Sequence, residues 1–286
     1  MKVGFIGLGA MGAPIAGHLA AVGLLHAVWN RSIERAAEFV ARYPQVIQAD
    51  SPAALAGQVD VMLICVSADA DVIDLLEAMR PQLRPGQIVV DHSTVAPQTA
   101  QHLAESLLQR GLSFIDAPVT GGVEGAMNGQ LAIMAGGDVN AFERLEPVFE
   151  AYGKVWRHLG PAGAGQSAKA VNQLMVAGIA EAVCEALALV ERLNLPQQDM
   201  LELLGGGAAG NWFLDKRGKT MLADSFETGF DPKLMLKDLR ICSGLTEQRG
   251  FTSSVLAAAL ADYARLVESG EMAKDISALI RLKRSL

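Results

Sequence analysis

The sequence has few cysteines and no concentrated positive charge. Its three cysteines, Cys65, Cys184 and Cys242, are far apart and form no C-x-x-C pair. This spacing predicts reduced, buried thiols of a cytoplasmic protein and not a disulfide framework. Lys and Arg number 24 against 31 Asp and Glu, for a net charge of −7, and there is no long basic block. Nucleic acid and anionic membrane surfaces are therefore not expected as partners.

A membrane-spanning segment is not expected either. The most apolar helical stretch, about residues 174–190, carries Glu181 and Glu185, which would be costly in lipid. Residues 2–21 have the positive start and apolar run of a signal peptide, but their glycine spacing indicates a folded element instead. With 286 residues, 51% of them apolar, the chain can bury more than one core.

Two kinds of pattern divide the chain. Up to about residue 160, short β-rich runs alternate with helical segments, which predicts a doubly wound parallel sheet covered on both faces. After the glycine-rich residues 160–165, only helical patterns follow, starting with one long helix over about 166–193. We therefore predict a Rossmann-type α/β domain at 1–162, an interdomain helix at 163–193 and an all-α C-terminal domain at 194–286. The predicted strands are residues 3–6, 27–30, 59–66, 87–92, 114–116, 131–135 and 155–159.

Polar residues mark where several helices should begin. Ser32, Ser51, Asp138 and Asp231 each precede a helical run and are expected as N-caps. The C-terminal helices are predicted at residues 197–204, 211–222, 232–249 and 253–269, with a shorter one from Ala273.

A glycine-rich turn follows the first strand directly. Gly7 permits a tight turn, Gly9 lets the backbone approach a pyrophosphate, and Gly12 lets the next helix pack on its strand. The free N–H groups at the helix start would face the phosphates. The string alone is a weak signal, but its place between a strand and a helix strengthens it. We predict a dinucleotide site formed by Gly7, Leu8, Gly9, Ala10, Met11 and Gly12.

The end of the second strand bears on the choice of coenzyme. NAD enzymes usually place Asp or Glu there, on the ribose hydroxyls, whereas this chain reads Asn30-Arg31-Ser32 after Trp29. Arg31 can pair with a 2′-phosphate. NADP(H) is therefore favoured over NAD(H), with Asn30, Arg31 and Ser32 as cofactor contacts. The alternative is that Arg31 only solvates the start of the next helix.

Polar residues on the long helix are candidates for proton transfer. Lys169 and Asn172 lie one turn apart and share a face. Lysines on helices are usually solvated, but Lys169 stands among Ala168, Ala170 and Val171 near the expected domain boundary. Desolvation there would lower its pKa and suit it to acid–base catalysis. Asn172 could hold the lysine or the substrate, or could simply join two helices.

Two further segments could bind ligands. Thr120-Gly121-Gly122 follows a strand and could offer a hydroxyl and backbone N–H groups to a carboxylate, although an ordinary flexible loop has the same composition. Thr94 follows the strand ending near residue 92, where open α/β sheets bind ligands. His92 is a rival candidate for the proton donor, with a structural role as its alternative.

Around these motifs the chain resembles the β-hydroxyacid dehydrogenase family. The resemblance covers essentially the whole chain and rests on residues 4–12, 91–94, 116–122, 163–172 and 237–239. It implies that Lys169 is the catalytic lysine. It also implies that Thr120, Gly121 and Gly122 bind the substrate carboxylate, with Phe230 and Asp238 beside the substrate. Thr94 would contact the cofactor or the substrate, and Val66 and Lys237 would contact the cofactor. Many relatives carry Asn-Asn where this chain has Asn172-Gln173, and serine is common at the position of Thr120.

The sequence therefore predicts an NADP(H)-dependent oxidoreductase that interconverts a small semialdehyde or 2-oxo acid and its hydroxyacid. Glyoxylate, succinic semialdehyde and 3-hydroxyisobutyrate represent the substrate type, with Lys169 as general acid/base, Asn172 beside it and no metal. We expect a cytoplasmic homodimer or homotetramer. An imine reductase is one alternative, against which Lys169 counts, and a non-catalytic dinucleotide-binding scaffold is another. Decarboxylating 6-phosphogluconate dehydrogenases are much longer.

Overall fold

The computed structural model describes residues 1–226, 229–270 and 275–285. The chain divides into two compact units, Met1–Lys169 and Ala170–Leu286. Strands and helices alternate through most of the first unit. Its elements are β1 Val3–Ile6, α1 Gly12–Ala21, β2 Leu25–Trp29, α2 Ile33–Arg42, β3 Ile47–Gln48, α3 Pro52–Ala56, β4 Val61–Ile64, α4 Asp69–Met79, β5 Ile88–Asp91, α5 Pro97–Leu108, β6 Ser113–Asp116, β7 Val119–Thr120, α6 Gly122–Met127, β8 Leu131–Gly137, α7 Val139–Arg144, α8 Glu146–Glu150, β9 Gly153–His158 and the first residues of α9 Ala164–Arg192.

The described strands form one nine-stranded sheet in the order β3-β2-β1-β4-β5-β6-β8-β7, with β9 beside β8. From β3 to β6 every neighbouring pair is parallel. Alternate residues of β4 enter separate core clusters, Val61 and Leu63 one of them and Met62 and Ile64 the other. Because successive strand residues point to opposite faces, the sheet is buried on both sides. The doubly wound prediction is confirmed for this part of the sheet.

The parallel arrangement does not extend to one edge of the sheet. β8 runs antiparallel to both β6 and β7. The connection from β7 to β8, residues 121–130, is shorter than the dozen or more residues that a parallel crossover needs. The two-residue strands β3 and β7 were not predicted, because two residues show no periodicity. Asn30, predicted as the last residue of the second strand, lies just beyond Trp29.

Three of the four predicted N-caps are confirmed. The side chains of Ser51, Asp138 and Asp231 accept hydrogen bonds from the backbone N–H groups of Ala54, Ala141 and Lys233, at 3.0, 2.8 and 2.8 Å. Ser32 precedes α2, but its hydroxyl donates to the Glu34 carboxylate at 2.8 Å. The Ser32 hydroxyl therefore bonds to a neighbouring side chain and does not cap the helix.

Among the described residues of the second unit, every secondary-structure element is a helix, as predicted. It contains the rest of α9, then α10 Gln197–Gly206, α11 Trp212–Leu222, α12 Pro232–Gln248, α13 Ser254–Glu268, a 3₁₀ turn Ile276–Ala278 and α14 Leu279–Arg284. The helix predicted from Ala273 begins outside the described residues. Ala177, Ala180, Cys184 and Leu187 of α9 recur at helical spacing and are buried in the core of this unit, which also contains Tyr263.

The long helix α9 meets the length and composition criteria for a membrane span, which buried helices of soluble proteins also meet. Its carboxylates have partners within the second unit. The Lys283 ammonium lies 2.9 Å from Glu185 Oε1 and also pairs with Glu181. All three cysteines are free, as predicted; Cys184 and Cys242 are buried, and Cys65 is only partly buried.

Candidate functional site

The glycine-rich turn connects β1 to α1 in the predicted way. Gly7 has a φ of +98°, and a methyl group there would overlap the carbonyl oxygen of Cys65 at the end of the neighbouring strand. A methyl group at Gly12, the first residue of α1, would overlap the carbonyl oxygen of Gly7. These two glycines are required by the turn itself.

Gly9 differs from the other two glycines. A methyl group at this position would have no heavy atom of the described residues within 4 Å, so packing does not require glycine. The turn is secured nearby, because Leu8 N–H donates to Asn30 Oδ1 at 2.9 Å and Gly7 N–H to the Trp29 carbonyl oxygen at 3.1 Å. Open space over a fixed backbone turn fits a dinucleotide pyrophosphate. Ala10 and Met11 complete the turn before α1.

Alanine substitutions should separate these roles. We expect Gly9→Ala to fold with near wild-type stability but to bind the dinucleotide at least about tenfold more weakly, because its methyl group occupies the space for the phosphates. Gly12→Ala should instead lose thermal stability, because the helix must move away from the turn. Thermal unfolding and titration of coenzyme fluorescence measure the two effects. Equal coenzyme affinity in Gly9→Ala and wild type would contradict the assignment of Gly9.

Arg31 lies just after β2 with 88% of its side chain exposed. Its nearest acidic partner is Asp71 of α4, at 3.4 Å between Nη1 and Oδ1. An exposed ion pair of this length contributes at most about 1 kcal/mol to stability. Arg31 could therefore leave Asp71 and pair with an anion that binds it more strongly. Asn30, besides accepting from Leu8, donates to the Ser32 carbonyl oxygen at 3.0 Å. These contacts make Asn30 a support of the turn.

Residues after β4 and β5 meet at the carboxyl edge of the sheet. Val66 N–H donates to Ser93 Oγ at 2.9 Å, and Ser93 N–H donates to Asp91 Oδ1 at 2.9 Å. Thr94, the predicted contact with cofactor or substrate, follows at once and is half-buried. These consecutive hydrogen bonds join Val66, Ser93 and Asp91 at the edge where open α/β sheets bind ligands.

Asp91 is fully buried, and its Oδ2 has no hydrogen-bond partner in the described part of the chain. Desolvation raises the pKa of Asp91 to about 7, opposed by hydrogen bonds from Ser93. The folded protein therefore holds this proton more tightly than the unfolded chain does, and the stability it contributes is lost as the pH rises from about 4 through about 7.

We expect Asp91→Asn to remove this pH dependence. The stability of the variant relative to wild type, measured as the difference in their free energies of unfolding, should increase as the pH rises from 4.5 to 8, because the amide has no charge to bury. Urea denaturation at several pH values measures this difference. Parallel curves for the two proteins would show that Asp91 does not titrate in this range.

His92, the rival proton donor, has a structural setting. Its Nδ1 donates to the Ala117 carbonyl oxygen at 2.6 Å, and Nε2 lies 2.8 Å from the Tyr152 hydroxyl. Burial lowers the pKa of His92 to about 4, so the ring is neutral near pH 7. Both nitrogens are engaged inside the core, which favours the structural role for His92.

The start of α9 is bound to the ends of two strands. Asp116, the last residue of β6, accepts from Gly163 N–H at 2.8 Å through Oδ1 and from Gln166 N–H at 2.9 Å through Oδ2. The Gln166 side chain accepts from Val95 N–H at 3.1 Å and donates to the Ser93 carbonyl oxygen at 2.8 Å. Asp116 and Gln166 are almost completely buried. The first turn of α9 therefore has a fixed register on the sheet.

Lys169 lies one turn further along α9 and is only 8% exposed. Its Nζ donates to the Val119 carbonyl oxygen at 2.9 Å. Thr120, which follows Val119, is half-buried in β7. Gly121 and Gly122 come next, with φ values of +132° and +64°. The structure thus brings the lysine side chain to the strand that leads into the Thr120-Gly121-Gly122 segment.

The remaining predicted residues belong to the second unit, where Asn172, Asp238 and Lys237 form a connected polar group with Gln173. Asn172 Nδ2 donates to Gln173 Oε1 at 2.8 Å, and Gln173 Nε2 donates to Asp238 Oδ2 at 2.8 Å. Asp238 is 3% exposed and forms an ion pair of 3.0 Å with Lys237. The Phe230 backbone N–H donates to Asp275 Oδ2 at 3.2 Å. Asp238 therefore contacts Gln173 directly, which the sequence did not predict.

Sequence reasoning missed several residues that shape the site. These are Asp71, Asp116, Gln166 and the pair Gln173 and Asp238, whose contacts join residues 40 to 73 positions apart. Of these residues, only Asp116 and Gln166 lie in segments that carry the family resemblance, residues 116–122 and 163–172. Among the described residues, no group of three histidine, cysteine or carboxylate side chains is placed to hold a metal ion.

Two family models match successive parts of the chain. The NAD-binding domain of 6-phosphogluconate dehydrogenase matches residues 2–160, and the model described as NAD-binding of NADP-dependent 3-hydroxyisobutyrate dehydrogenase matches residues 163–283. The chain belongs to the β-hydroxyacid dehydrogenase family. The resemblance stated from the motifs is confirmed, and the protein is an NAD(P)-binding dehydrogenase.

Individual relatives of this dehydrogenase agree with the family models. A probable mitochondrial 3-hydroxyisobutyrate dehydrogenase-like protein of Arabidopsis thaliana is 36% identical over 274 residues, which are 94% of this chain and 81% of the relative. An NAD-dependent L-serine dehydrogenase of Pseudomonas aeruginosa is 30% identical, covering 98% and 97%. The structure of Mycobacterium tuberculosis 3-hydroxyisobutyrate dehydrogenase with L-serine has a TM-score of 0.86 and 29% identity, covering 99% of both chains.

Proposed function

We propose that this dehydrogenase interconverts a small carboxylate-bearing aldehyde or 2-oxo acid and its hydroxyacid, with NADP(H) and with Lys169 as general acid/base. The observation that carries the proposal is the buried Lys169 ammonium, held 2.9 Å from the Val119 carbonyl oxygen beside Thr120. A buried ammonium is costly unless its contacts or its chemistry require it. Lys169 also lies near the carboxyl edge of the sheet in the first unit, where open α/β sheets bind ligands, and this position supports a chemical role.

Lys169 would act on the oxygen of the reacting carbon. In reduction, its ammonium protonates the carbonyl oxygen and stabilises the developing negative charge. In oxidation, the neutral amine accepts the hydroxyl proton. The nicotinamide, when bound, donates or accepts the hydride. The Val119 carbonyl restricts the orientation of Nζ before substrate arrives, which lowers the entropic cost of the proton transfer.

Substrate carboxylate binding is assigned to Thr120, Gly121 and Gly122. The hydroxyl of Thr120 can donate, and backbone N–H groups at consecutive residues with positive φ can converge on an anion. Asn172, Phe230 and Asp238 are proposed as further contributors, of which Asp238 acts through Gln173. Glyoxylate, succinic semialdehyde and 3-hydroxyisobutyrate represent the substrate type.

NADP(H) is proposed over NAD(H) because of Arg31. A guanidinium with 88% of its side chain exposed, at the end of β2, can pair bidentately with a 2′-phosphate. The relatives support either coenzyme, since one family model is described as NADP-dependent and the Pseudomonas enzyme as NAD-dependent.

Steady-state kinetics on a small panel tests the proposal. Glyoxylate, succinic semialdehyde and tartronate semialdehyde are offered with NADPH and with NADH, beside a cyclic imine and an aldehyde that lacks the carboxylate. We expect NADPH oxidation with at least one carboxylate-bearing carbonyl and a much lower kcat/KM for the uncharged aldehyde. Turnover of the imine alone would indicate an imine reductase, and inactivity on a broad panel would indicate a dinucleotide-binding scaffold.

A further inference from the structure

One buried amide, that of Gln166, bridges the backbone on both sides of Thr94. Its Oε1 accepts from Val95 N–H at 3.1 Å, and its Nε2 donates to the Ser93 carbonyl oxygen at 2.8 Å. Both polar atoms of the amide are therefore used, and the side chain is 1% exposed. The conformation of the Thr94 backbone is tied to the first turn of α9.

The same residue also fixes the helix that carries Lys169. Gln166 N–H donates to Asp116 Oδ2 at 2.9 Å, and Lys169 lies three residues further on the same face of α9. The Lys169 Nζ then reaches the Val119 carbonyl oxygen. Gln166 thus stands between two predicted contacts of the reaction, Thr94 and Lys169, that are 75 positions apart in the sequence.

We propose that Gln166 is a positioning residue that holds the Ser93–Val95 segment and Lys169 in a fixed mutual register. The proposal rests on the function proposed above, in which Thr94 contacts cofactor or substrate and Lys169 transfers the proton. Displacement of a reacting group by about 1 Å can reduce the rate about 100-fold. An amide is required because one end must accept and the other must donate. Neither methionine nor an ionised glutamate can meet both demands.

The chain provides a matched control in Gln87, which precedes β5, whereas Ser93 follows it. Gln87 is 4% exposed and also makes side-chain bonds to backbone only, with Nε2 donating to the carbonyl oxygens of Ala56 at 2.8 Å and Val59 at 2.7 Å. It lies at the amino end of the strand, away from Thr94. Gln87→Met therefore removes the same kind of buried amide without touching the site.

The kinetic test compares Gln166→Met and Gln87→Met, alone and combined with Lys169→Ala. We expect Gln166→Met to lower kcat about 10- to 100-fold and Gln87→Met to lower thermal stability with kcat nearly unchanged. In the Lys169→Ala background, Gln166→Met should cost little more, because residues acting as one unit are not additive. Equal losses in both backgrounds, an unchanged kcat, or the same kcat loss in Gln87→Met would overturn the proposal.

Amide hydrogen exchange gives a second readout that needs no substrate. Gln166→Met should speed exchange at Val95 and in the first two turns of α9 together, while Gln87→Met leaves both regions protected. Faster exchange at Val95 alone would overturn the proposal. If wild type proves inactive on the substrate panel, the proposed function fails, and hydrogen exchange still decides whether Gln166 couples the two segments.

Discussion

Replacement of Lys169 by alanine is expected to lower kcat by about 10²- to 10⁴-fold, the range that a positioned general acid or base contributes. NADPH affinity should change little, because Lys169 reaches Val119 and not the glycine-rich turn. Steady-state kinetics with the best panel substrate and a fluorescence titration of NADPH measure the two quantities. Wild-type kcat in this variant would exclude Lys169 as the proton donor.

Two further variants make this result specific. Lys169→Arg keeps a positive charge, but guanidinium does not give up its proton in the neutral range, so it should be nearly as slow as alanine. Lys154→Ala removes an exposed lysine at β9 of the same unit and should behave as wild type. Activity in Lys169→Arg close to wild type would indicate that charge alone is needed at this position.

The second large effect concerns Arg31 and the coenzyme. Arg31→Ala should lower kcat/KM with NADPH about 10- to 100-fold, since hydrogen bonds to charged groups contribute about 1.5–3 kcal/mol. With NADH, which lacks the 2′-phosphate, kcat/KM should stay nearly constant. Initial rates with both coenzymes at a saturating substrate concentration give the ratio.

Arg42→Ala is the matched control, because Arg42 is an exposed arginine at the far end of α2. It should leave the coenzyme ratio unchanged. Asp71→Asn removes the carboxylate that lies 3.4 Å from Arg31 and should favour NADPH slightly. If Arg31→Ala weakens both coenzymes equally, Arg31 supports the fold of the turn and does not read the phosphate.

Local patterns were sufficient to predict much of this fold. The apolar run of β4, the glycines after β1 and the caps Ser51 and Asp138 all act within a few residues, so their signals are present in the sequence. The direction of β8 was not predictable in this way, because it depends on which strands meet at the sheet edge. The composition of residues 131–137 is compatible with either direction.

The site shows the same division between local and distant effects. Lys169, Thr120 and the turn at residues 7–12 were identifiable from motifs and spacing. The bonds from Gln166 to Ser93 and from Gln173 to Asp238 join residues 73 and 65 positions apart. A buried amide has no periodicity of its own, and its partners are backbone groups or side chains that only the folded chain brings near. The sequence therefore indicated the groups proposed to react better than the residues proposed to position them.

Chemical rescue of Lys169→Ala by added ethylamine tests the central claim most directly. If Lys169 supplies a proton through its amine, a small primary amine in the space left by the side chain should raise kcat about tenfold or more, with saturation. Ethanol and tetramethylammonium chloride, at the same concentration and ionic strength, should have no effect. A rate that ethylamine raises no further than these two controls would contradict the assignment of proton transfer to Lys169.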